Sequence, residues 1–69
     1  MEAIDYAEQV EEQLYGNFDV AEGRALDIVF KRAKTMIRMR RWNYTPRMAA
    51  DELARMYFLQ PLARGVVTT

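Results

Sequence analysis

Apolar positions recur with a helical period through most of this chain, and the longest such run is RALDIVFKRAKTMIRMRRW, residues 24–42. With Leu26 at zero and about 100° per residue, Leu26, Val29, Phe30, Ala33, Met36 and Ile37 gather on one face about 120° wide. That is the apolar stripe of a helix packed on a core. Ile28, Met39 and Trp42 form a separate strip, expected to stay exposed when only one face is covered. Upstream, Ala3, Ala7, Val10 and Leu14 share a stripe with Tyr6 at its edge, which predicts a first helix over 2–15. Gly16 is placed to close it. Asp19-Val20-Ala21-Glu22 resembles a capping box and predicts a second helix over 20–42. Gly23 inside that pattern costs about 1 kcal/mol relative to alanine.

Asn43 and Tyr44 interrupt the period. Thr45-Pro46 is a strong start signal, with a threonine oxygen to cap and a proline in the first turn. The third helix is expected over 46–60, with Ala49, Ala50, Leu53, Met56 and Tyr57 inward, an Asp51–Arg55 pair outside, and Pro61 as terminator. Phe58 and Leu59 fall off the stripe. Val66, Val67, Thr68 and Thr69 favour extended backbone, so 61–69 reads as an irregular or extended tail. The expected fold is all-α: one domain, 1–69, of three helices with the long second one central.

Bulk composition narrows this picture. A chain of 69 residues buries only about 60% of its unfolded surface and has a thin margin of stability. It has no cysteine, so no disulfide supports it, and no histidine. Oligomerisation is the remaining common source of extra stability. The formal net charge is zero, yet residues 1–23 hold seven acids and no base, while 28–47 hold seven bases and no acid. The acidic segment is available either to fold beside the basic one or to align neighbouring subunits. No apolar run approaches the ~20 residues that span a bilayer, and MEAID lacks a signal peptide's positive start. The expected setting is cytoplasm or an intracellular or virion assembly, with no membrane partner.

The inventory of reactive groups is sparse. Without Ser, Cys or His, nucleophilic triads lack their parts. Zinc sites built from Cys and His are excluded. Asp51/Glu52 and Glu11/Glu12 are adjacent pairs whose side chains diverge by about 100° on a helix. Gly16, Gly23 and Gly65 are isolated, so no phosphate loop is formed. The expectation is a non-enzyme with no cofactor and no metal.

Two surfaces remain. Ile28, Met39, Trp42, Phe58 and Leu59 are surplus apolar positions, expected to meet another protein: a second copy, a larger assembly, or both. Lys31, Lys34, Arg38 and Arg41 share a helical face that ends near Trp42 and Tyr44. They are the candidate nucleic-acid contacts of a competing reading, a small nucleic-acid-binding regulator.

Two resemblances bear on these readings. Thr45-Pro46-Arg47-Met48-Ala49-Ala50-Asp51-Glu52-Leu53-Ala54 resembles the opening helix of excisionase-type winged-helix DNA binders. Those continue with a tight turn and a recognition helix, whereas Arg55 to Phe58 prolong the same helix here. Leu26…Ala33…Ile37 and Pro46…Ala49…Leu53-Ala54…Tyr57 resemble the small helical head–tail connector proteins of tailed phages, over about half the chain. That resemblance implies a ring-forming virion component and brings no catalytic residues.

Overall fold

The computed structural model describes the backbone of residues 3–62 and the side chains of residues 5–62. The tail expectation for 63–69 therefore lies outside the described residues. The fold is all-α, with four helices among the described residues rather than three: α1 (Ala3–Asn17), α2 (Glu22–Lys31), α3 (Ala33–Arg41) and α4 (Pro46–Met56).

The helix expected over 20–42 is divided at Arg32, whose φ of −109° and ψ of 28° leave the helical region. The ladder resumes at once. The Arg32 amide donates to the Ile28 carbonyl, and the Met36 amide donates to the Arg32 carbonyl. Neither glycine nor proline marks this bend. The Arg32 side chain reaches α4's end, where its Nε donates to the Tyr57 hydroxyl at 3.1 Å and its guanidinium lies 5.4 Å from the Tyr57 ring centroid.

The central element is α1, correcting the expectation for the second helix. It packs against α4 and α2 and, more lightly, against α3. Tyr6, Val10 and Leu14 recur every four residues on one stripe and are buried along it. From α4 come Ala49, Ala50, Leu53 and Ala54, an alanine-rich face that lets two helix backbones approach closely. From α2 and α3 come Ala25, Ile28, Val29, Met36 and Met39. No polar side chain is buried among the described residues.

The start of α2 also differs from expectation. Its N-cap is Ala21, with no side-chain cap, and Asp19 is committed elsewhere. Residues 17–19 pair with 60–62: the Asp19 amide donates to the Gln60 carbonyl at 2.7 Å, and the Leu62 amide donates to the Asn17 carbonyl at 3.0 Å. Phe18 and Pro61 form an antiparallel bridge of the pair type that exchanges no hydrogen bonds, so proline's missing N–H costs the pairing nothing. This pairing ties the end of α4 back to α1.

Two helices end in the same motif. After α3, the Tyr44 amide bonds the Met39 carbonyl and the Asn43 amide bonds that of Arg40. After α4, the Leu59 amide bonds the Ala54 carbonyl and the Phe58 amide bonds that of Arg55. Both are Schellman caps, which need a residue at positive φ. Asn43 (φ 63°) suits that position and Phe58 (φ 55°) does not. The residues that follow, Tyr44 and Leu59, pack on the core. The Thr45 hydroxyl accepts the Met48 amide at 3.2 Å, as the Thr-Pro signal predicts.

Candidate functional site: an apolar groove between α1 and the bent α2–α3 pair

The face of α2–α3 that meets the core is turned by about 90° from the expected one, at 100° per residue. Ile28 (1% exposed) and Met39 (6%) are interior, where the pattern placed them outside. Phe30 (71% exposed), Ile37 (52%) and Leu26 are exposed, where the pattern placed them inside. The physical reason is an excess of apolar positions around this helix pair. Two faces qualify, and the partner surface selects one. Ala25, fully buried, is the small residue that lets α2 close onto α1, and it belongs to the Ile28–Met39 side.

The uncovered side forms the wall of a groove of about 190 Å³ lined by Tyr6, Ala7, Val29, Phe30, Ala33, Met36, Ile37 and Arg40. A cavity of about 150 Å³ is enough to take up a benzene ring, so this groove has room for one aromatic side chain. Tyr6, one of the lining residues, donates its hydroxyl to the Tyr44 carbonyl at 2.9 Å. Burial raises the Tyr6 phenol above its ordinary value, opposed by the cationic Arg40.

The other expected contact residues are scattered. Trp42 is exposed at the C-cap of α3, its ring 6.4 Å from that of Tyr44 and inclined by 51°. Phe58 is 87% exposed, turned outward by its own left-handed backbone. Leu59 is half-buried against the core. Ile28 and Met39 have almost no surface through which to meet a partner, and Phe30, Ala33 and Ile37 are the groove residues that sequence reasoning assigned to the interior.

The ion pairs among the described residues are Asp27–Lys31 at 3.2 Å, Arg47–Asp51 at 3.3 Å and Glu52–Arg55 at 3.4 Å, each between residues three or four apart on a helix. Arg55 thus pairs with Glu52, and Asp51 with Arg47, in place of the expected Asp51–Arg55 contact. Lys31, Lys34, Arg38 and Arg41 are all exposed. On the opposite flank, burial, and after it Glu22, Glu8 and Glu12, push the Glu11 carboxyl above its ordinary value. The nearby Tyr15 phenol is raised in the same way, first by burial and then by Glu22, Glu12 and Glu11.

Among the described residues no group of three or more acidic side chains is placed to hold a metal ion, and no helix is long and apolar enough to cross a membrane. No protein-family model matches this chain, and no curated protein or solved structure matches it.

Proposed function

We propose that this chain is a non-catalytic interaction protein that works in an assembly, as an oligomer or as a small subunit of a larger complex, and that the α1/α2–α3 groove is its docking surface. The carrying observation is the groove itself, apolar along nearly its whole lining and bordered by the exposed Phe30 and Ile37. Contiguous exposed apolar surface of this kind marks interaction sites on small soluble domains. Aromatic anchors beside a pocket are where binding energy concentrates. Absence of Ser, Cys and His from the sequence supports the non-catalytic part of the reading. The connector resemblance adds a setting, a phage-type virion component.

The test is to isolate the native complex containing this chain and compare it with one containing Phe30→Asp. Loss of the complex, with the variant still helical by circular dichroism, is the expected result. A complex of unchanged composition and stability refutes docking at the groove.

One observation favours a second reading. Lys34, Arg38 and Arg41 stand exposed beside the exposed Trp42, a basic face with an aromatic at its end. Lys31 extends the face, though its ammonium already pairs with Asp27. A nucleic-acid regulator predicts a salt-dependent gel shift that weakens when Lys31, Lys34, Arg38 and Arg41 are replaced by Gln. Binding that survives all four replacements rules out this face.

A further inference from the structure

The groove has flanks of opposite charge. On α1, stepping outward from Ala7 at 100° per residue, Glu11 lies about 40° and Glu8 about 100° beyond it. On α2–α3, outward from Phe30, Arg41 lies about 20°, Lys34 about 40° and Arg38 about 80° beyond. One rim is therefore acidic, and the other is basic along α3, while on α2 Asp27, about 60° beyond Phe30, is paired with Lys31; an apolar trough lies between them. Neither rim is compensated at home: Glu8, Glu11, Lys34, Arg38 and Arg41 take part in none of the ion pairs seen among the described residues.

A surface that is acidic on one side, basic on the other and apolar between is complementary to itself. Two copies meeting face to face have a two-fold axis lying in the interface, and its direction decides which rims meet. An axis across the groove sets acid on acid. An axis along the groove sets each acidic rim on a basic one, with each α1 over the partner's α2–α3. Resting on the docking reading above, we propose that a second copy of this chain closes the groove. The two copies are related by a two-fold axis along the groove, each Phe30 sits in the partner's trough, and Lys34 faces Glu8 and Glu11 of the other copy.

A standard interface takes about 800 Å² from each partner, roughly a sixth of this chain's 4831 Å². The trough accepts one ring from each side.

The experiment is sedimentation equilibrium of the purified full chain, with circular dichroism as the folding control. Four proteins are compared: wild type, Phe30→Asp, Lys34→Glu, and the triple variant Glu8→Lys/Glu11→Lys/Lys34→Glu. Wild type is expected to be dimeric, with a dissociation constant that Phe30→Asp raises by at least about 100-fold. Lys34→Glu should weaken the pair about tenfold by placing like charges in contact, and the triple variant, which reverses the contact of residue 34 with residues 8 and 11 but keeps Arg38 and Arg41, should recover part of that loss.

A wild type that stays monomeric at about 100 μM overturns the proposal. So does a dimer indifferent to Phe30→Asp. A triple variant as weak as Lys34→Glu overturns the orientation. Open-ended oligomers that vanish with Phe58→Gly overturn the two-fold pair in favour of head-to-tail contact. The docking reading is separable from these outcomes. A monomeric wild type whose native complex is lost with Phe30→Asp removes only the second copy, whereas a native complex unaffected by Phe30→Asp removes both.

Discussion

Replacing Ile28 and Ile37 by alanine, one at a time, tests which side of the α2–α3 pair is the core. The two residues share a side chain and lie nine positions apart. The hydrophobic pattern alone ranks Ile37 as interior and Ile28 as surface, and the fold reverses that order. Ile28→Ala removes three buried carbon groups at about 0.8 kcal/mol each and leaves a cavity, for a loss of about 3–4 kcal/mol. Ile37 is 52% exposed, so about half that transfer is at stake and no closed cavity forms. Its expected loss is about 1 kcal/mol or less. Alanine's better helix propensity returns a few tenths in both cases. With a urea slope near 1 kcal/mol/M for so small a domain, the midpoint should fall by about 3 M or more for Ile28→Ala and by under about 1 M for Ile37→Ala. Since total stability of such a domain is about 5 kcal/mol, Ile28→Ala should sit near the edge of unfolding in buffer. Unfolding is followed by circular dichroism at a concentration low enough that dilution no longer moves the midpoint, so that dissociation does not contribute. A larger loss for Ile37→Ala than for Ile28→Ala refutes the assignment of the core face.

Three further predictions concern local chemistry. Gly16 lies within α1 at no positive φ, with open space where a Cβ would stand, so Gly16→Ala should raise stability by about 0.8–1 kcal/mol in urea unfolding. Phe58 carries the left-handed cap of α4 at a cost of about 1–2 kcal/mol; Phe58→Gly should recover about 0.5–1 kcal/mol after glycine's own entropy cost, measured by thermal unfolding. Because burial holds the Tyr6 phenol above its ordinary 10.0, the unfolded chain loses that proton first. Tyr6 therefore contributes fully below pH 10.0 and progressively less as pH rises from there through its own raised value. Tyr6→Phe should reduce the alkaline decline, leaving the part that the raised Tyr15 phenol contributes, and lose about 0.5–1.5 kcal/mol at neutral pH with the bond to the Tyr44 carbonyl.

The helices themselves were largely legible because their signals are local. Tyr6, Val10 and Leu14 announce α1, and Thr45-Pro46 announces α4 through a cap that forms as read. What was not legible is decided by contacts distant in sequence. Asp19 looks like a cap but is drawn into pairing with Gln60. Arg32 bends the long helix with no breaker residue in it, and its side chain is occupied 25 positions away at Tyr57. Phe58 ends α4 in a conformation that its side chain disfavours, so propensity gave no warning. The groove was misplaced for a related reason: the residues around α2–α3 are apolar over more than one face, and periodicity counts apolar positions without knowing which face a partner will cover. Ala25 is fully buried on the side the core takes, where a small side chain permits close helix approach. The separation of acidic from basic segments is plain in the sequence, and the ion pairs seen among the described residues lie within single helices.

The most direct test of the paired groove is a dilution series followed by NMR, with Ile methyl groups and Phe rings labelled. The Ile37 methyl and Phe30 ring signals should shift together along a single monomer–dimer isotherm, while the interior Ile28 methyl stays in place. Signals from Phe30 and Ile37 that hold still across the whole concentration range would contradict the pairing.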